Sequence, residues 1–186
     1  MSKMTIDQAL AYPGELLAVW DHAGDETLVV YAIADGRLDR LATQQMSKAE
    51  RASLGAELSQ RGIRVGATDG PSQFVWSKDG GFTIWSLTGV VLDSRDGSLV
   101  VGDQVMARGD VARVVSFLDR DSLGHRGVKV ALRTGGEIVV VDEEDPAAQL
   151  DPTYGMDNVM IDAAWATYLG RDLAAWLGAP HTDELP

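Results

Sequence analysis

Two periods of apolar and polar alternation run along this chain, one near two residues and one near 3.6. The short period comes first. Glu15–Asp21 and Thr27–Ala34 are apolar runs of strand length, joined by the turn His22-Ala23-Gly24-Asp25. Asp35-Gly36 is a two-residue hairpin signal, and it predicts a third strand over Arg37–Thr43. A short helix is expected before them, over Thr5–Ala11, ended by Pro13-Gly14.

The longer period follows. Ser47-Lys48-Ala49-Glu50 has capping-box spacing, and Gly62 stands where a C-terminal cap belongs, so a helix is expected over Ser47–Arg61. Residues 67–73 are rich in breakers and mark the expected boundary between two halves. Beyond them strand follows strand: Phe74–Ser77, Phe82–Leu87, Gly89–Asp93, Leu99–Val101, Gln104–Ala107, Val111–Leu118, Val128–Arg133 and Glu137–Val141. In Val128–Arg133, Val128, Val130 and Leu132 alternate with Lys129, Ala131 and Arg133, as a strand with one wet face requires. Gly135-Gly136 predicts a tight hairpin into the next strand. The last element is a long amphipathic helix, about Asp157–Leu177. Ile161, Trp165, Leu169, Leu173 and Leu177 form its stripe, widened by Tyr168 and Trp176.

Hairpins in succession, with helices between or after them, predict an α+β fold with a mainly antiparallel sheet. Element order over residues 74–178, strands and then one C-terminal helix, resembles the layout of a pleckstrin-homology-like barrel, whose open end such a helix plugs. That resemblance implies a fold for the C-terminal half and nothing about activity. The expected organisation is an N-terminal α+β half over 1–66, a sheet-plus-helix half over 74–178, either separate or sharing one core with the first, and a frayed tail over 179–186.

Composition narrows the classes. Of 186 residues, 45% are apolar and 24% charged, ordinary globular values. There is no cysteine, which excludes disulfides, thiolate catalysis and cysteine-ligated metal and suits a reducing compartment. The first residues, MSKMTIDQALAYPGELLAVW, are interrupted by Asp7, Gln8 and Glu15 and do not form a signal peptide's apolar run. The longest stretch without a charge is 13 residues, Gly80–Leu92, too short to span a bilayer as a helix. A cytoplasmic protein with no membrane partner is expected.

Charge adds direction. The net charge is −12, and residues 142–186 hold ten acidic residues against one basic residue, Arg171. Such a surface repels nucleic acid and attracts basic protein or cations.

Two stretches carry candidate binding residues. Asp142, Glu143, Glu144 and Asp145 follow an apolar run directly, with Asp151 and Asp157 after them. Hard cations need several converging oxygens, which these could supply, but calcium-loop spacing is absent and Pro146 stiffens the segment. A solvated connection from strand to helix accounts for the acids equally well. Trp76 and Trp85 belong to an aromatic hairpin over 74–85, where exposed rings would stack on a ligand or anchor a partner and buried rings would be core. No Rossmann, P-loop or H-E-x-x-H pattern occurs, and His125 is expected in a hairpin tip.

No cofactor is implied and the chain leans away from catalysis. The expected function is a non-catalytic binding module whose acidic C-terminal surface meets a basic protein, as an immunity-type inhibitor would. The alternative is a small metal-dependent enzyme or ligand carrier using residues 142–157 or the aromatic hairpin. Oligomeric state stays open.

Overall fold

The computed structural model describes residues 4–21, 27–68, 73–86, 88–94, 97–118, 125–144 and 164–185. The chain divides into two compact units, residues 1–93 and 94–186. The fold is mostly β, with three α-helices among the described residues and mixed sheets, and is α+β overall.

In the first unit, α1 (Ile6–Leu10) precedes β1 (Glu15–Asp21), β2 (Thr27–Ala34) and β3 (Arg37–Gln45). Thr5 caps α1 and Gln8 returns the bond to the Thr5 N–H. Asp35 and Gly36 take φ of 50° and 74°, the left-handed pair that a tight hairpin turn needs between β2 and β3. Next comes α2 (Lys48–Gln60), with Ser47 as its cap; Glu50 accepts from the Ser47 N–H at 2.8 Å. That hydrogen bonding holds the Glu50 carboxyl below its ordinary value. The strands β4 (Arg64–Thr68), β5 (Val75–Ser77), β6 (Phe82–Ser86) and β7 (Gly89–Ser94) complete the unit, in the order β3-β2-β1-β4-β5-β6-β7.

This sheet is not purely antiparallel. β4 runs parallel to β1, with Ala18 beside Val65 and Val19 beside Gly66. Sequence reading left β4 out because Arg64-Val65-Gly66-Ala67-Thr68 has a weak apolar pattern. Its pairing with β1 and with β5 makes it a strand, and β4 and β5 fall within one unit. One face of the sheet is packed by Ile6, Leu10, Leu16, Trp20, Leu28, Val30 and Leu58. On the other face Leu17, Val19, Val75 and Trp85 cluster with Tyr31 and Ile33. Burial there pushes the Tyr31 hydroxyl above its ordinary value.

The second unit holds the hairpin β8 (Ser98–Val101) and β9 (Gln104–Ala107), a 3-10 turn at Arg108–Asp110, then β10 (Val111–Leu118), β11 (His125–Leu132) and β12 (Glu137–Glu144). Helix α3 (Ala164–Leu177) and β13 (His181–Glu184) follow. The four-stranded sheet has the order β12-β11-β10-β13, open at both ends among the described strands rather than closed into the expected barrel. Its last pair is parallel, Val114 beside His181 and Ser116 beside Asp183. The tail expected to fray therefore adds a strand. Gly178 at φ 66° ends α3, and the Pro180 carbonyl accepts the Val114 N–H at 2.9 Å, so the chain turns directly onto the β10 edge.

Helix α3 packs on β10 and β11. Trp165, Ala166, Leu169, Gly170, Leu173, Ala174 and Leu177 are buried. The expected start near Asp157, and Ile161 with it, lie outside the described residues. Tyr168 is exposed instead of widening the stripe; the small residues Ala166, Gly170 and Ala174 widen it on the opposite flank. Among the described residues no helix is long and apolar enough to cross a membrane.

Candidate functional site

The acidic stretch is not a connecting segment where it is described. Asp142, Glu143 and Glu144 are the last three residues of β12, and they pair with Gly127, Arg126 and His125 of β11. A bulge at Val140–Val141 sets which side chain points where. Across it, Val139 opposes Lys129 and Val141 opposes Val128, so one residue of β12 is inserted. Glu137, Val139, Asp142 and Glu144 are exposed as a result, while Val140, Val141 and Glu143 are buried.

Each of three β12 carboxylates meets a basic side chain on β11. Arg126 Nε lies 3.5 Å from Glu143 Oε2, both side chains only 6% exposed. His125 Nδ1 is 3.1 Å from both Asp142 carboxylate oxygens. Lys129 Nζ donates to Glu137 at 2.9 Å and sits 3.6 Å from Glu184 of β13. The Glu137 hydrogen bond raises the Lys129 pKa above its ordinary value. His125, expected in a loop tip, is the first residue of β11. Asp145, Asp151 and Asp157 lie outside the described residues. Among the described residues no three His, Asp or Glu side chains are gathered to hold a metal ion.

The aromatic hairpin is β5–β6, with Trp76 opposite Ile84 and Val75 opposite Trp85. Trp76 is 1% and Trp85 2% exposed, and Phe82 and Ile84 are fully buried. The rings are core and present no stacking surface to solvent. Arg64 lies over Trp85, its guanidinium carbon 5.3 Å from the ring centroid. The same guanidinium donates to Glu15 at 2.9 Å, the Asp79 carbonyl at 3.3 Å and Thr83 Oγ1 at 3.4 Å. Asp79 in turn accepts the Val65 N–H at 2.6 Å. This network ties β1, β4 and the β5–β6 turn together.

Sequence reading missed one constellation altogether. Ser116 of β10 and His181 of β13 stand 2.9 Å apart, Oγ to Nε2. That is the spacing of a nucleophile and its base. Burial and bonding rule out that use here. Ser116 is fully buried, and its hydroxyl donates to the Ala166 carbonyl of α3 at 2.7 Å. With its proton committed, Oγ accepts from His181, which fixes the imidazole proton on Nε2. Asp183 is occupied by Thr167 Oγ1 at 2.8 Å and the Leu185 N–H at 3.3 Å. The helix residue over the pair is Gly170, where a Cβ would meet Ser116 Oγ and, at 2.8 Å, His181 Nε2. Only the joint register of α3, β10 and β13 brings these residues together, so no local sequence signal could have shown it.

No protein-family model matches the chain, and no curated protein matches it.

Proposed function

We propose that this chain is a non-catalytic binding module whose C-terminal unit meets a basic protein partner. One observation carries the reading: both edge strands of the four-stranded sheet end in exposed carboxylates, Asp142 and Glu144 on β12 and Asp183 and Glu184 on β13. Arg126, His125 and Lys129 answer some of the acids from within, but ten acidic residues against one basic residue over 142–186 leave a large excess. Charge of this kind speeds association with a cationic surface and rejects acidic competitors. An immunity-type inhibitor covering a basic enzyme is the concrete form. The cysteine-free composition suits a cytoplasmic setting. Burial of the hairpin rings favours this reading over a ligand carrier that uses that hairpin.

The test is affinity capture from native-host lysate at low salt, with wild type beside a Glu144→Gln/Glu184→Gln variant. A basic protein held by wild type, released by salt and lost with the variant supports the proposal. Equal retention by both baits contradicts it.

A further inference from the structure

We propose that an extended basic segment of the partner adds to the open edge of β12, as a fifth strand of the four-stranded sheet. The proposal rests on the reading of the chain as a module for a basic protein, and it names the strand and the mode of contact. β12 is terminal in the order β12-β11-β10-β13, and among the described strands only β11 pairs with it. It is eight residues long, against four for β13 at the other edge. The phase of the ladder decides which backbone groups face outward. The Leu132 N–H donates to the Gly136 carbonyl at 3.0 Å, so these opposed residues form a hydrogen-bonded pair. Alternation along an antiparallel ladder makes Val130 and Ile138 the next bonded pair, and leaves Ala131–Glu137 and Lys129–Val139 as non-bonded pairs. Glu137 and Val139 thus turn their N–H and C=O groups away from β11, toward the open edge.

The side chains along that edge select the occupant. Val139 is 51% exposed, and Glu137, Asp142 and Glu144 are exposed on the same strand. Glu137–Glu144 contains neither Pro nor Lys, residues that commonly guard a free edge. Its acids guard it instead against a second copy of this chain. The protein carries −12, and β12 laid edge to edge on itself would bring Glu137, Asp142 and Glu144 near the same acids. A basic strand meets no such barrier. Laid along Glu137–Val139, it places an apolar residue opposite Val139 and a Lys or Arg opposite Glu137, two residues away. The bulge at Val140–Val141 bends β12 beyond that stretch, and a second cation on the far side of the apolar residue faces Asp142. Main-chain bonds give such an addition its affinity, and alternate side chains give it selectivity. The fitting segment therefore has cation-x-apolar-x-cation spacing.

The experiment adds a capped Lys-Thr-Val-Thr-Lys peptide to the whole chain and follows amide exchange by NMR. Exchange of the Glu137 and Val139 amides should slow as the peptide binds. The same peptide N-methylated at its valine and lysines keeps the charge but lacks the donors, and it should give no slowing. Val139→Pro removes one outward N–H and leaves the bonds to β11 in place, so it should weaken binding of the unmethylated peptide by about fivefold or more. Equal binding of the two peptides, released by salt, overturns strand addition and leaves the charge-based reading of the partner standing. Binding of neither peptide overturns the β12 edge as the surface, whatever basic protein the lysate yields. Slowing of the same amides with rising protein concentration and no peptide assigns the edge to a second copy, and that too overturns the proposal.

Discussion

The two hairpins β5–β6 and β11–β12 drew attention in the sequence for opposite reasons, one for its tryptophans and the other for its carboxylates. The fold treats them by the same rule. Trp76 and Trp85 are withdrawn from solvent, and Glu137, Asp142 and Glu143 of β12 meet basic side chains of the adjacent strand. The difference lies in what remains outside. After folding, the aromatic hairpin offers no ring to a partner, whereas the acidic ladder still shows Asp142 and Glu144. A conspicuous run of residues is thus a functional candidate only to the extent that its chemistry survives pairing inside the protein.

The aromatic side of the comparison should break with the largest effect. Trp85→Ala or Trp76→Ala removes a buried ring and should cost about 3–5 kcal/mol, read as a lower urea midpoint. A near-neutral result would mean that the ring is not core. Next is the buried pair on the acidic side. Arg126→Met alone should cost about 3 kcal/mol, because it removes the buried guanidinium that faces the Glu143 carboxylate. Adding Glu143→Leu should recover most of that loss, and a double-mutant cycle checks the coupling. The exposed pair is the smallest stability effect. Asp142→Asn should change stability by less than about 1 kcal/mol and less still in high salt. Calcium, magnesium or manganese should leave the melting temperature unmoved. A shift abolished by Asp142→Asn with Asp145→Asn would favour the metal reading instead.

How far the sequence led depended on the range of the interactions that decide each element. β1, β2, β9 and β10 match their predicted bounds, because a continuous apolar run between turn residues is a local signal. The Ser47 cap and the Asp35-Gly36 turn were legible for the same reason. β4 and β13 were not. Arg64–Thr68 and His181–Glu184 become strands by parallel pairing with β1 and β10, a contact between distant parts of the chain. β12 was read as ending at Val141 because Asp142, Glu143 and Glu144 look like solvent residues. Arg126 across the ladder allows Glu143 to be buried, and the bulge at Val140–Val141 turns it inward. Of the candidate site, residue identity was legible and orientation was not. The Ser116–His181 pair, 65 residues apart in the chain, was beyond any local reading.

The most direct test of the binding account is the dissociation constant of the captured basic protein across a salt series, for wild type and for Glu144→Gln/Glu184→Gln. The account predicts weakening with salt for wild type and a shallower dependence for the variant, because the removed charges are part of what the partner senses. A complex of equal strength from low to high salt, with both proteins alike, would contradict it.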